Sequence, residues 1–163
     1  MMRLEIELTQ IKALVLDVNP RKEGKEKEVL ACDIKCEVGL TNDALAVFSP
    51  TLKSFLFDTS GMTDLAGDLM VRYPSLKLPL HWDAELVGAH VKIVGEGGKP
   101  ITFPEALLHK FTIAPQNGGT VIIGFTVSVY PDASQLGRAS ELIGMTTIIS
   151  VEPPELPEMQ KAA

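Results

Sequence analysis

Residue types that carry catalysis or bind metal are scarce in this sequence. Only three of its 163 residues are histidine and two are cysteine. His81, His90 and His109 stand far apart, with no H-x-x-H or H-E-x-x-H spacing, so the helical two-histidine zinc signature is missing. Cys32 and Cys36 form a lone C-x3-C with no second pair, which falls short of a zinc framework. No G-x-S-x-G elbow marks a nucleophilic serine. The run Gly95-Glu96-Gly97-Gly98-Lys99 lacks Walker spacing, and its lysine precedes Pro100 instead of Ser or Thr. It reads as a hairpin tip, not a phosphate loop. The expectation is a non-enzyme without cofactor or metal.

Basic charge is also short. Fifteen Lys and Arg face 21 Asp and Glu, for a net charge of −6, which lowers the expectation of binding to nucleic acid or an anionic membrane. No stretch approaches the roughly 18 apolar residues of a membrane span. The N-terminal Met1-Met2-Arg3-Leu4-Glu5-Ile6-Glu7 has acidic residues where a secretory signal needs an apolar run. On one strand face Cys32 and Cys36 would lie about 13 Å apart, at about 3.3 Å per residue. A disulfide needs Cα atoms within about 7 Å, so they read as small core residues that suit a reducing compartment. These features predict a soluble, cytoplasmic protein with no membrane partner.

The 45% hydrophobic content is that of a globular chain. It is arranged mostly with period two, the strand period. Val121, Ile123, Phe125, Val127 and Val129 alternate with a second face carrying Thr126 and Ser128. Upstream, Leu107, His109, Phe111 and Ile113 share one face, which places His109 inward. Between these arms lies Pro115-Gln116-Asn117-Gly118-Gly119, and Asn-Gly is a strong hairpin signal because both residues tolerate positive φ. This hairpin is expected in the middle of a sheet.

Other strands are predicted at Leu4–Leu8, at Ile11–Val18 with Leu14, Leu16 and Val18 inward, and at Val29–Leu40 with Leu30, Cys32, Ile34, Cys36 and Val38 inward. Further strands are Leu86–Val94, Ile101–Phe103 and Thr146–Val151. The charged stretch from Asn19 to Glu28 reads as a solvated hairpin loop, its acidic residues largely cancelling Arg21, Lys22, Lys25 and Lys27. Leu45, Phe48, Leu52 and Phe55 recur at helical spacing around Ser49-Pro50, which predicts two short helices over 42–48 and 50–57 covering the sheet. Asp132 is the expected N-cap of a helix running to Ile143, with Leu136, Ala139 and Ile143 buried and Gly144 as its stop. Residues 58–79 are irregular, and long irregular segments in compact domains are often functional.

The predicted architecture is a β-rich α+β fold of about seven to nine mostly antiparallel strands, a sandwich or partly open barrel. Two short helices follow the third strand and one helix precedes the last. Residues 1–152 form a single domain, and 153–163 an acidic, Pro-rich tail.

Three segments in order, Leu78-Pro79-Leu80-His81-Trp82-Asp83, Lys110-Phe111-Thr112-Ile113-Ala114-Pro115-Gln116-Asn117-Gly118-Gly119-Thr120-Val121 and Ser150-Val151-Glu152-Pro153-Pro154, carry a resemblance. The chain resembles a family of small, uncharacterised proteins of tailed bacteriophages and prophages. That family's pattern is Leu-x-Trp-Asp, a hairpin ending in Pro-x-x-Gly-Gly, a short helix, and a last strand closing in Glu-x-Pro. The similarity covers residues 76–155, with a looser match at Phe48–Phe57, and the compact Gly95–Gly98 turn departs from it. These motifs are structural punctuation, and no functional residue transfers. The resemblance implies a phage-derived, non-virion protein of the bacterial cytoplasm, from DNA-metabolism or host-takeover genes.

Three functions fit these features. The first is a non-catalytic interaction module that binds a phage or bacterial host protein, with Trp82, His81, Tyr73 and Arg72 as its candidate surface. Tryptophan is enriched at interfaces, and Trp82 is the only one. The second is a single-stranded DNA-binding accessory, which needs a groove built from Lys92, Lys99, Lys110 and Arg138 with Phe103 or Phe111 stacking on bases. The third is a virion assembly or tail component. Edge strands can pair across a two-fold axis, so a homodimer belongs among the expected partners.

Overall fold

The computed structural model describes residues 2–155. Its β-strands are β1 (Met2–Arg3), β2 (Leu8–Glu23), β3 (Val29–Thr41), β4 (Leu80–Trp82), β5 (Ala84–Val94), β6 (Ile101–Pro115), β7 (Thr120–Val129) and β8 (Thr146–Glu152). A 3-10 turn at Asn42–Val47 and helix α1 (Leu52–Leu56) follow β3, and helix α2 (Ala133–Ser140) precedes β8. The architecture is β-rich and antiparallel except for the β1–β5 pair, as the alternation predicted.

The pairing order β5-β8-β2-β3-β7-β6 is closed by a further β5–β6 pairing, so these six strands form a ring. Of the two predicted architectures, sandwich and barrel, the hydrogen bonding describes the barrel. Closure removes most of the unpaired strand edge that an open sheet exposes. The predicted central hairpin is in place, with β7 between β3 and β6. Val121, Ile123, Phe125, Val127 and Val129 are all buried inside. So are Cys32, Ile34, Cys36 and Val38 of β3.

The 3-10 turn and α1 cover the barrel end that carries the β6–β7 turn, where the Asn42 backbone N–H donates to the Gly119 carbonyl (3.2 Å). Phe48 packs edge-on against Trp82 (ring centroids 5.9 Å) and Phe111 (5.7 Å). Phe111 in turn lies 6.1 Å from Phe125. Helix α2 follows the opposite end. It carries the predicted cap: the Asp132 carboxylate accepts from the Gln135 backbone N–H, and the Gln135 side chain accepts from the Asp132 backbone N–H. Both are orphan donors of a helix start.

Several local expectations shift. Leu4, Ile6 and Leu8 are buried, but the first ladder covers only Met2–Arg3 and β2 begins at Leu8. In β2 the inward set is Ala13, Val15 and Val18, with Leu14 and Leu16 only half-buried. An irregularity between Val15 and Asp17 reverses the parity there. The segments at 101–103 and 106–113 are one strand, β6, which pairs with β5 in its first half and with β7 and β4 in its second. A register shift between His109 and Thr112, with Lys110 at φ 54°, turns Leu108 inward. The inward placement of His109 is thereby corrected, and its side chain joins a polar chain with Ser128. In the β6–β7 turn the positive φ falls on Gly118 (91°) and Gly119 (75°), not on Asn117.

The strands flanking the charged loop run on to Glu23 and resume at Val29, which shortens it. Helix α1 starts at Leu52 instead of Pro50. Leu56 and Phe57 are buried while Phe55 is exposed. α2 stops at Ser140, so Ile143 lies beyond it and is exposed. Gly144 takes positive φ (79°) just after. Residues 58–79 make two isolated bridges, Phe57 to Val71 and Thr63 to Leu69. Their turns are tied by aspartates: Asp58 accepts from the Ser60 N–H, and Asp64 accepts from those of Ala66 and Asp68. Of the predicted tail, residues from 156 onward lie outside the described residues.

Candidate functional site

The segment after α1 leaves the barrel and returns along it, and this return builds a groove. The Arg72 backbone N–H donates to the Leu56 carbonyl (2.9 Å) and its Nε to the Ser54 carbonyl (2.9 Å). These bonds seat Tyr73 beside Phe55, with ring centroids 5.7 Å apart. Phe55 and Tyr73 remain 47% and 49% exposed. Trp82, half-buried against Phe48, lines the same groove. The hollow is about 500 Å³, lined by Leu52, Phe55, Arg72, Tyr73 and Trp82 with the hydroxyl residues of the α1 turn.

The structure thus brings together Trp82, Tyr73 and Arg72 of the predicted surface. His81 is exposed but does not line the groove, since neighbouring residues on a strand point to opposite faces. Phe55 was missed because helical spacing counted it with the buried stripe. Residues 58–70, which follow α1 in the chain and do not line the groove, include Asp58, Asp64 and Asp68 and no Lys or Arg. The Ser60 hydrogen bonds hold the Asp58 carboxyl below its usual range.

A second constellation lies on the outer face of β2, β3, β6 and β7. Strand pairing sets Asp33 opposite Ser128 and Leu107 opposite Ser128 on the other side. Ser128 Oγ donates to Asp33 Oδ1 (2.6 Å), and His109 Nε2 lies 2.8 Å from the same hydroxyl. Arg21 donates from Nε to Asp33 Oδ2 (2.9 Å) and from a terminal nitrogen to Oδ1 (3.2 Å), and its other terminal nitrogen bonds Glu23. Tyr130 donates its hydroxyl proton to Glu23 (2.8 Å). Arg21 first, and Ser128 with it, hold the Asp33 carboxyl below its usual range. Burial, and then the nearby Lys110 charge, push the His109 imidazole below its usual range.

This chain is ordered Asp–Ser–His. A nucleophilic serine needs the imidazole between acid and hydroxyl. Here the serine proton points at a carboxylate already held by Arg21, so the geometry does not activate Ser128. No sequence spacing marks the set, since Asp33 and Ser128 are 95 residues apart.

Cys32 and Cys36 are buried and free, and burial pushes their thiols up to about 11 and about 12. Phe103 and Phe111, the rings expected to stack on DNA bases, are 4% and 0% exposed and offer no face to a base. Among the described residues no group of three or more His, Cys, Asp or Glu is placed to hold a metal ion. No helix of the described residues is long and apolar enough to cross a membrane. Compared with protein-family models, curated proteins and solved structures, the chain matches none of them.

Proposed function

We propose that the protein is a non-catalytic interaction module that receives a segment of a phage or bacterial protein in the aromatic groove between α1 and Trp82. The observation that carries this reading is the pair Phe55 and Tyr73, half exposed, in ring contact, and lining one hollow with the one tryptophan. Clustered aromatic side chains around a hollow are typical interface anchors. The acidic stretch at 58–70 selects a partner whose apolar anchor is flanked by Lys or Arg. The phage or prophage setting rests on the resemblance of residues 76–155.

The test is site-directed photocrosslinking in bacterial cells, with and without phage, from a photoreactive residue at position 55 and from a control at Val87. A protein adduct from position 55 that is absent at Val87 is expected. Tyr73→Ser and Trp82→Ala, each shown by its urea transition to remain folded, should weaken binding of the isolated partner by at least about tenfold, the scale of an aromatic hot spot. Equal binding by folded variants would remove the groove as the site. Salt-sensitive binding of a single-stranded oligonucleotide by the same protein would favour the DNA-accessory reading instead.

A further inference from the structure

The polar chain on the outer face borders a hollow of about 320 Å³, separate from the aromatic groove, between Arg21 and Glu23 of β2, the Val87–Gly88 bend of β5, and residues of β6 and β7. Its chemistry follows from a count of protons. Arg21 directs Nε and both terminal nitrogens at carboxylates. The Ser128 proton goes to Asp33, and the Tyr130 proton goes to Glu23. With its proton committed, the Ser128 oxygen can only accept from His109, so the imidazole carries its proton on Nε2. Both hydroxyls and all three Arg21 nitrogens lining the hollow are thus engaged within the protein, with two of the five Arg21 N–H protons left over.

Acceptors remain. Nδ1 of His109 is unprotonated in this tautomer and makes no hydrogen bond among the described residues. Glu105 lines the same hollow, is exposed, and makes no ion pair among the described residues. Around them, Asp33, Glu23, Glu85 and Glu105 outnumber the cations Arg21 and Lys110. Val87 and Leu107 supply apolar wall, and the exposed Tyr130 ring lines the same hollow.

A site with spare acceptors, more carboxylates than cations and an apolar wall fits a cation that donates hydrogen bonds and carries a short hydrocarbon chain. We propose that this hollow binds an aliphatic primary ammonium group, received by the Glu105 carboxylate and by Nδ1 of His109, with its alkyl chain along Val87 and Leu107. Both a free alkylamine and the lysine side chain of a polypeptide carry this group. Tyr130 adds a ring face of the kind that attracts cations.

The experiment is NMR on the ¹⁵N,¹³C-labelled full chain near neutral pH. Long-range ¹H–¹⁵N spectra should show His109 with its proton on Nε2. Titration with n-pentylamine should shift His109 and Glu105 saturably, while pentan-1-ol, of the same length but uncharged, should not. Glu105→Gln should weaken amine binding by about tenfold or more, as expected for a lost hydrogen bond to a charged group. A blocked Gly-Lys-Gly peptide identifies the source: saturation by peptide and amine points to a lysine side chain, and saturation by the amine alone to a small amine. Either upholds the site. His109 protonated on Nδ1, pentan-1-ol binding as well as the amine, or no saturable shift with amine or peptide would overturn it.

Discussion

Replacing Phe111 by Ala tests the packing that joins the barrel to its cover. Phe111 is fully buried, with Phe48 at 5.7 Å on one side and Phe125 at 6.1 Å on the other. Truncating a buried Phe to Ala costs about 3–5 kcal/mol through lost transfer energy and the cavity left behind. Each aromatic pair adds about 0.5–1.5 kcal/mol beyond area. Phe111 joins two such pairs within a closed barrel that cannot easily collapse onto the gap, which places the loss at the upper end, about 4–5 kcal/mol. For a chain of this size that corresponds to a melting point lower by about 8–20 °C. Urea unfolding followed in parallel by far-UV circular dichroism and by Trp82 fluorescence should show a lower midpoint at unchanged slope. Should the variant fail to fold, Phe111→Leu keeps most of the volume and is expected to cost about 1–2 kcal/mol. The double-mutant cycle of Phe48→Ala with Phe111→Leu isolates their contact, with an expected coupling of about 0.5–1.5 kcal/mol. A loss below about 1.5 kcal/mol for Phe111→Ala, or no coupling to Phe48, would refute this account of the barrel end.

Two further predictions concern titration. Asp33 has its folded pKa lowered by Arg21 and Ser128, so its contribution is present above the unfolded carboxyl value and lost as pH falls through the lower folded one. The stability gap between the native chain and Asp33→Asn, read from urea midpoints, should therefore be wide at about pH 7 and shrink by about pH 2.5; a constant gap would count against the ion pair. The thiols of Cys32 and Cys36 are raised to about 11 and about 12, so burying them neutral stabilises the fold below the unfolded thiol value and this stability is lost as pH rises through the folded values. Native protein should resist alkylation at neutral pH, with both sites reacting promptly in denaturant. Rapid labelling of the folded chain would show that the barrel opens around β3.

The amino-acid sequence by itself determined the elements whose signals are local. The period-two run of β7, the Asp132–Gln135 capping box and the glycines of the β6–β7 turn act through neighbours within a few residues, so they are legible without partners. Tertiary structure decided what depends on register. The irregularities at Val15/Asp17 and His109/Thr112 reverse which side chains face inward, and they arise from how a strand fits its partners around a closed ring. That is why Leu16 and His109 turned away from the core while Val15 and Leu108 entered it. Both candidate sites are products of this second level. Tyr73 meets Phe55 only because Arg72 is tied to Ser54 and Leu56. Arg21, Asp33, His109 and Ser128 come from four strands and meet only because pairing sets those strands side by side with their polar faces outward.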